Sequence, residues 1–298
     1  YLSFNIDNVN GGKILFDLYA QTGDERYKIA MDTLRKQMAE QPRTSEGGFW
    51  HKLRYPHQMW LDGIFMASPY LVQYGATFDE PALFDEATKQ ILLIKSKTYD
   101  PATGLYYHGW DESHEQKWSN PETGCSPNFW SRSIGWYGAA IVDVLDFLPQ
   151  ETAGRDSIIQ ILQGLAKAIV KYQDPSSGTW YQVTDQGARE GNYLESSATA
   201  LFIYTLAKAI NKGYIGNEYI EPTQKAFDGM VKTFTRLEED GSYTITNCCA
   251  VAGLGGDSKR YRDGSFEYYI SEPIIENDPK SVGSFILAAI EYEKMTKK

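Results

Sequence analysis

Apolar residues recur at helical spacing along most of the chain. Residues 9–20 lead through the turn at Gly23 and Asp24 into a second run, which places Ile29 and Leu34 on one side. Two such runs joined by a tight turn predict an αα-hairpin. The same pairing recurs at 56–74 with 80–97, at 126–148 with 152–172, and at 193–209 with 218–234. One more helical segment follows at 279–295.

The two helices of each predicted hairpin differ in their apolar surface. Segment 126–148 is apolar on nearly every side, whereas 152–172 carries Ile158, Leu162 and Leu165 on one face. A helix that is apolar all round is buried, and one with a single apolar face lies at the surface. This alternation predicts an all-α fold in which an outer ring of helices surrounds an inner ring, an α/α toroid.

Similar loops recur between the helices. Residues 100–107 and 174–181 share the form D-P-x-[ST]-G-x-[YW]-Y, and 120–124 and 240–243 are partial copies. Proline and glycine enforce a turn in each copy, so the aromatic pair that follows is expected in equivalent places. We therefore expect the loops to gather at one mouth of the toroid.

The predicted helices are fewer than a closed ring requires. Five inner and four outer helices are predicted, whereas a toroid of six hairpins, an (α/α)6 barrel, has twelve. Because the chain opens on an inner-type helix, the missing inner helix and two outer helices are expected before Tyr1. No linker rich in Ser, Gly or Pro divides the sequence, so residues 1–298 are predicted to form a single domain.

The charge balance narrows the possible partners. The 29 Lys and Arg residues against 39 Asp and Glu give a net charge of −10, which argues against nucleic acid or an anionic membrane as a partner. The most apolar stretch, 141–148, is too short to span a bilayer. Aromatic residues make up 14% of the chain and predict a cavity lined by rings. The oligomeric state stays open, as does location in the cytoplasm or the periplasm.

Several reaction classes lack their motifs. The four histidines do not have zincin spacing, and a P-loop and a G-x-S-x-G elbow are absent. The glycine-rich segment 253–256 lacks the lysine of a phosphate loop. Cys125, Cys248 and Cys249 fit neither a disulfide framework nor a zinc site and are predicted to be buried thiols. We therefore expect no metal and no cofactor, which leaves carboxylates among aromatic residues as candidates.

Two carboxylates stand near the starts of neighbouring inner helices. Asp62 follows Trp60 in an otherwise apolar segment, where burial is expected to raise its pKa as a general acid requires. Asp7 stands at the equivalent end of the preceding inner helix, so both would face one cavity. The structural alternatives are a closed polar network around Asp62 and a plain N-cap role for Asp7.

An arginine and a tryptophan share one face of a later inner helix. Arg132 and Trp136 are four residues apart, and a guanidinium beside an indole suits a sugar carboxylate next to a pyranose ring. The alternative for Arg132 is an ion pair with a structural acid such as Glu195. His108 follows the aromatic pair of the first loop repeat and is expected at the mouth; the alternative is an ordinary surface histidine.

These residues belong to a set of motifs that occur in order from about Asp7 to the C-terminus. The motifs are M-W-L-D-G at 59–63, S-P-N-F-W at 126–130, R-S-I-G-W at 132–136, W-Y-Q-V at 180–183, N-Y-L-E-S-S-A at 192–198, S-E-P at 271–273 and E-N-D-P-K at 276–280. Together they resemble glycoside hydrolase family 105, the unsaturated rhamnogalacturonyl hydrolases. Members of that family carry additional N-terminal helices, in keeping with the helix count above.

The resemblance implies a fold, a reaction and a set of site residues. It implies an (α/α)6 barrel that removes a 4,5-unsaturated galacturonic acid from the non-reducing end of rhamnogalacturonan oligosaccharides by hydrating the vinyl ether double bond. It implies catalytic roles for Asp62 and Asp7. It also implies substrate-binding roles for His51, Lys52, Met59, Trp60, His108, Arg132 and Trp136.

Two other functions stay open from the sequence. Asp7 and Asp62 could straddle a glycosidic bond as the two carboxylates of a conventional glycosidase acting on saturated uronides. Alternatively, the toroid could bind glycans without catalysing a reaction.

Overall fold

The computed structural model describes residues 2–256 and 260–297. Its α-helices, in chain order, are α1 (Asp7–Asn10), α2 (Lys13–Thr22), α3 (Glu25–Glu40), α4 (Leu61–Phe78), α5 (Ala82–Thr98), α6 (Ser131–Phe147), α7 (Arg155–Lys171), α8 (Ser196–Lys212), α9 (Ile220–Phe234), α10 (Phe266–Ile270) and α11 (Pro279–Thr296). A 3-10 turn at Asn217–Tyr219 precedes α9. Three antiparallel two-stranded ladders pair β1 (Gln58–Trp60) with β2 (Gly109–Asp111), β3 (Thr235–Leu237) with β4 (Tyr243–Ile245), and β5 (Cys248–Cys249) with β6 (Ile274–Ile275).

The helices form two layers, as the periodicity predicts. In the inner layer α1 packs on α4, α4 on α6, α6 on α8, and α8 on α11. The outer helices α3, α5, α7 and α9 pack against the inner helices α2, α4, α6 and α8, respectively. Helices α6 and α8 are buried on nearly every side, whereas α7 and α9 bury one face. The main apolar core lies between the layers and includes Tyr137, Leu165 and Phe202.

The inner layer has an open interval between α2 and α11. A cavity of about 590 Å³ lies between these helices, with Ile14 and Lys13 on one side and Leu287 on the other. The exposed fractions of Ile14 and Ile286 are 57% and 54%. Within residues 2–256 and 260–297, no inner helix separates α2 from α11.

The inner helices begin later than the apolar pattern predicts. The residues before α6 and α8 are extended and make backbone bridges, between Trp130 and Val183 and between Tyr181 and Leu194. The predicted helix 9–20 is interrupted between α1 and α2, where a Cβ at Gly12 would lie 2.4 Å from the side chain of Leu34. The apolar pattern therefore does not distinguish these extended segments from the helices that follow them. It also does not detect the break between α1 and α2.

The repeated loops fold as equivalent turns. The Asp100 carboxylate accepts a hydrogen bond from the Thr103 N–H at 3.0 Å, and Asp174 accepts one from Ser177 at 2.7 Å. The glycine of each turn has left-handed φ, +82° in the first copy and +77° in the second, a conformation that glycine adopts without steric cost. The three cysteines are buried and unpaired, as predicted.

Helices α6 and α8 approach closely at a glycine. A Cβ at Gly135 would lie 2.7 Å from the Cβ of Leu201, so alanine there must push the helices apart. We expect Gly135→Ala to lower the free energy of unfolding by roughly 1–3 kcal/mol, measured by urea denaturation.

Gly164 on α7 provides the matched control, because a Cβ there would meet nothing within 4 Å. Gly164→Ala removes backbone freedom from the unfolded chain and is expected to stabilise the protein by roughly 0.5–1 kcal/mol. Equal effects of the two substitutions would contradict the close contact between α6 and α8.

Candidate active site

The N-terminal ends of α4, α6 and α11 meet with α1 around a cavity of about 340 Å³. Asp7, Asp62 and Arg132 line it from the first turns of α1, α4 and α6. Its other lining residues include the rings of Tyr55, Trp60, Trp130 and Trp136 and the basic side chains of Lys52, Arg262 and Lys280. The two carboxylates thus face one cavity, as the sequence predicts. The positive ends of the three longer helix dipoles favour an anionic ligand there.

Asp62 lies beside His108 because of the ladder between β1 and β2. The backbone N–H of Leu61 donates to the His108 carbonyl at 3.0 Å, and Trp60 pairs with Gly109. As a result, His108 Nε2 lies 3.1 Å from Asp62 Oδ2, an ion-pair distance without the alignment of a hydrogen bond. His108 has no exposed surface. It lies behind Asp62 and not in the cavity wall, so direct substrate binding by His108 is not supported.

The charge beside Asp62 decides the direction of its pKa shift. The Asp62 side chain is 13% exposed, and burial alone would raise its pKa. The positive charge of His108 is the main cause that opposes burial, and the pKa of Asp62 lies below the usual value for aspartate. The expectation that burial raises the Asp62 pKa is therefore wrong for the free protein.

Asp7 belongs to a second cluster on the same cavity. His51 Nε2 lies 3.4 Å from Asp7 Oδ1, and Lys52 Nζ lies 2.5 Å from Oδ2. Burial lowers the pKa of His51 to about 4, with Asp7 opposing the shift, so His51 is neutral at pH 7 and Lys52 supplies the cation. The N-cap of α1 is Ile6, without a side-chain hydrogen bond. The alternative of a plain N-cap role for Asp7 is therefore wrong.

Arg132 is held almost entirely by the protein. Its Nη2 lies 3.2 Å from Glu195 Oε1 and donates to the Cys249 carbonyl, and its Nε donates to Ser197 Oγ at 2.6 Å. Only 1% of the side chain is exposed. The structural ion pair with Glu195, named above as the alternative, is thus present. Arg132 still lines the cavity, and Nη1 makes none of these bonds.

The aromatic wall is built around Trp60. Its ring stacks between His51, at 4.4 Å and 17°, and Tyr55, at 5.1 Å and 19°. Trp136 lines the cavity as well. Met59 does not: its side chain is 2% exposed and belongs to the main core, because consecutive residues of β1 point to opposite faces. The structure therefore gives no support to substrate binding by Met59.

Comparison with known proteins supplies the family. The sequence profile of Glycosyl Hydrolase Family 88 matches residues 1–296. The chain belongs to this family. A glycoside hydrolase from family 105 of C. acetobutylicum ATCC 824 is 45% identical, with a TM-score of 0.95 over 98% of this chain and 80% of that chain.

Further relatives agree with this assignment. A possible family 105 member from Klebsiella pneumoniae is 27% identical, with a TM-score of 0.83 over 98% of this chain and 71% of that chain. Unsaturated rhamnogalacturonyl hydrolase YesR of Bacillus subtilis is 28% identical over 243 residues, 80% of this chain and 65% of the relative.

These similarities confirm two predictions from the sequence, the resemblance to family 105 and the (α/α)6 toroid. The protein is therefore a glycoside hydrolase, and its membership of this family favours an enzyme over a non-catalytic toroid. None of its helices in residues 2–256 and 260–297 has the length and hydropathy for a membrane crossing.

Several cavity residues of the family 88 hydrolase were not identified from the sequence. Lys280 and Trp130 lie within motifs quoted above, so a signal for them existed. Tyr55 and Arg262 lie in loops without a repeating pattern. Tyr269 does not line the cavity but lies behind it, with its hydroxyl 2.8 Å from His108 Nδ1; it comes from the short helix α10, which no periodicity predicts.

Replacing His108 by glutamine tests the electrostatic control of Asp62. His108→Gln removes the cation and leaves the burial of Asp62, so we expect the pKa of Asp62 to rise above the usual aspartate value. Carboxyl 13C NMR titration of Asp62 measures this pKa directly.

Tyr269→Phe is the matched control, because it removes only the hydroxyl on the far side of the imidazole. We expect a smaller shift of the Asp62 pKa in this variant. An Asp62 pKa that is the same in wild type and His108→Gln would contradict the assignment.

Proposed function

We propose that the family 88 hydrolase removes a 4,5-unsaturated uronic acid from the non-reducing end of rhamnogalacturonan oligosaccharides by hydrating the vinyl ether. The observation that carries the proposal is the largely buried carboxylate of Asp62, which lines the cavity next to His108 and the indole of Trp60. The name of the relative YesR, an unsaturated rhamnogalacturonyl hydrolase, supports the choice of sugar.

In the proposed reaction Asp62 acts first as an acid and then as a base. Its proton adds to C4 of the unsaturated ring, and the positive charge that develops at C5 is shared with the ring oxygen. Water adds to C5 and gives a proton to the Asp62 carboxylate. The hemiketal opens by breaking the bond between C5 and the ring oxygen, and the anomeric carbon then releases the next sugar.

The proposed reaction needs a protonated Asp62, whereas the pKa of Asp62 is low in the free protein. The two agree if the bound substrate raises this pKa. His108 Nε2 lies 3.1 Å from Asp62 Oδ2 and favours the ionised form of Asp62 in the free protein. A uronate carboxylate bound nearby disfavours the ionised form of Asp62, and exclusion of water strengthens that effect. Substrate binding thus raises the pKa of Asp62, so that the carboxyl holds the proton that the reaction needs.

The remaining cavity residues bind the sugars in this proposal. Trp60 and Trp136 cover sugar faces, and Nη1 of Arg132 donates to a hydroxyl oxygen of the sugar. Lys52 and the neutral His51 bind hydroxyl groups on the side of the leaving rhamnose, with Asp7 holding both in place. Asp7 accordingly orients these two side chains.

The conventional glycosidase remains the second candidate, because Asp7 and Asp62 line the same cavity. That reaction requires a neutral acid and a carboxylate free to act as nucleophile or base on either side of the glycosidic bond. Lys52 Nζ lies 2.5 Å from one oxygen of Asp7, which leaves that carboxylate less available as nucleophile or base.

Asp62→Asn tests the proposed reaction. Incubation of the wild type with an unsaturated uronyl-rhamnose disaccharide is expected to abolish the ultraviolet absorbance of the enol ether and to release rhamnose. Asp62→Asn removes the acid and is expected to lower kcat by roughly 100-fold or more.

Asp228→Asn, an exposed position on α9, is the control and is expected to keep wild-type activity. Activity on a saturated uronide with no loss of the enol-ether absorbance would favour the conventional glycosidase. Full activity of Asp62→Asn would exclude Asp62 as the acid in either reaction.

A further inference from the structure

The basic side chains of the cavity differ in their counter-ions. Among the described residues that line it, three are paired with carboxylates: Lys52 with Asp7 at 2.5 Å, Arg132 with Glu195 at 3.2 Å, and Lys280 with Asp278 at 2.7 Å. The fourth is Arg262. A paired cation has part of its field cancelled before a ligand arrives.

Arg262 is held by neutral groups. Its Nε donates to the Gly255 carbonyl at 3.0 Å, and its Nη2 donates to the Tyr55 hydroxyl at 2.5 Å. Within residues 2–256 and 260–297 no carboxylate lies at ion-pair distance from this guanidinium. Among the described residues that line the cavity, Arg262 is therefore a cation without a carboxylate partner.

The glycine-rich segment 253–256 makes room for this guanidinium. A Cβ at Gly253 would lie 2.6 Å from Arg262 Nη1, and one at Gly256 would lie 3.1 Å from Nη2. The Gly255 N–H also donates to the Arg262 carbonyl at 2.7 Å. The segment that superficially resembles a phosphate loop thus encloses an arginine side chain.

The guanidinium is fixed relative to the aromatic wall beside Asp62. Its carbon lies 5.9 Å from the Tyr55 ring centroid, and Tyr55 stacks on Trp60. Trp60 is in turn two residues before Asp62. A planar guanidinium held on one side by neutral acceptors keeps its remaining N–H groups for a carboxylate.

We propose that Arg262 binds a carboxylate of the substrate and sets the preference of the cavity for anionic sugars. The proposal rests on the proposed function for the identity of the sugar. It gives Arg262 the role that the sequence suggests for Arg132, whose charge is matched by Glu195. In a protein with a net charge of −10, a cation held by neutral groups at this point opposes the repulsion of an anionic ligand.

Arg262→Gln tests this assignment against three substrates. They are an unsaturated uronyl-rhamnose disaccharide with one carboxylate, its methyl ester, and a tetrasaccharide with a second uronate. We expect Arg262→Gln to raise KM for the disaccharide roughly ten- to hundredfold and to leave KM for the ester nearly unchanged. Arg262→Lys keeps the charge without the planar fork. Its KM for the disaccharide is expected to lie between the values for the wild type and for Arg262→Gln.

The pattern of effects identifies the carboxylate. An effect on the disaccharide supports binding of the terminal uronate, and an effect confined to the tetrasaccharide supports binding of a carboxylate on the leaving side. Unchanged KM values for all three substrates overturn the proposal. Arg26→Gln removes an exposed charge far from the cavity and is expected to behave as wild type.

Two further experiments distinguish a failure of this proposal from a variant that does not fold and from a failure of the proposed function. If Arg262→Gln fails to fold, Gly253→Ala displaces the guanidinium without removing its charge and is expected to raise KM for the same substrates. If the wild type leaves every unsaturated substrate intact, the proposed function fails, and Arg262 is tested by calorimetry with galacturonate. Tighter binding by wild type than by Arg262→Gln then supports the assignment, and equal binding overturns it.

Discussion

The buried ion pair between Arg132 and Glu195 joins three parts of the chain at the mouth of the toroid. Arg132 lies on α6, Glu195 caps α8 by accepting from the Ala198 N–H at 2.6 Å, and both contact Cys249 on β5. The two charged side chains are 1% and 0% exposed. Removing one partner would leave a buried charge, at a cost of about 3–5 kcal/mol. The relative positions of α6, α8 and β5 depend on this pair.

Basic side chains that join the inner helices are paired with carboxylates, as Arg132 is with Glu195. Deeper in the barrel, Lys208 lies 2.6 Å from Asp143 and 2.7 Å from Asp146, so another cation joins α8 to α6. Cations that connect inner helices are matched by carboxylates and have little charge left for a ligand. Arg262, the loop residue proposed above to bind a substrate carboxylate, has neutral contacts instead.

The sequence predicted the helix pairs and the meeting of Asp7 with Asp62, because periodicity reports burial and equivalent helix ends lie together. It did not predict the pKa direction of Asp62, which depends on His108, a residue far away in sequence. It also placed Met59 and Trp60 on one helix. In the structure they belong to a strand, where neighbouring side chains separate to opposite faces, so only Trp60 lines the cavity.

The ladder that brings His108 to Asp62 consists of three residue pairs, and two of its side chains, Met59 and Trp110, belong to the main core. A substitution that disturbs this packing shifts His108 relative to Asp62 and changes the balance between burial and the neighbouring charge that sets the pKa of Asp62. The acidity of the site is thus linked to the packing of two short strands. Substitution of Met59 or Trp110, neither of which lines the cavity, can therefore change the pH range of the enzyme.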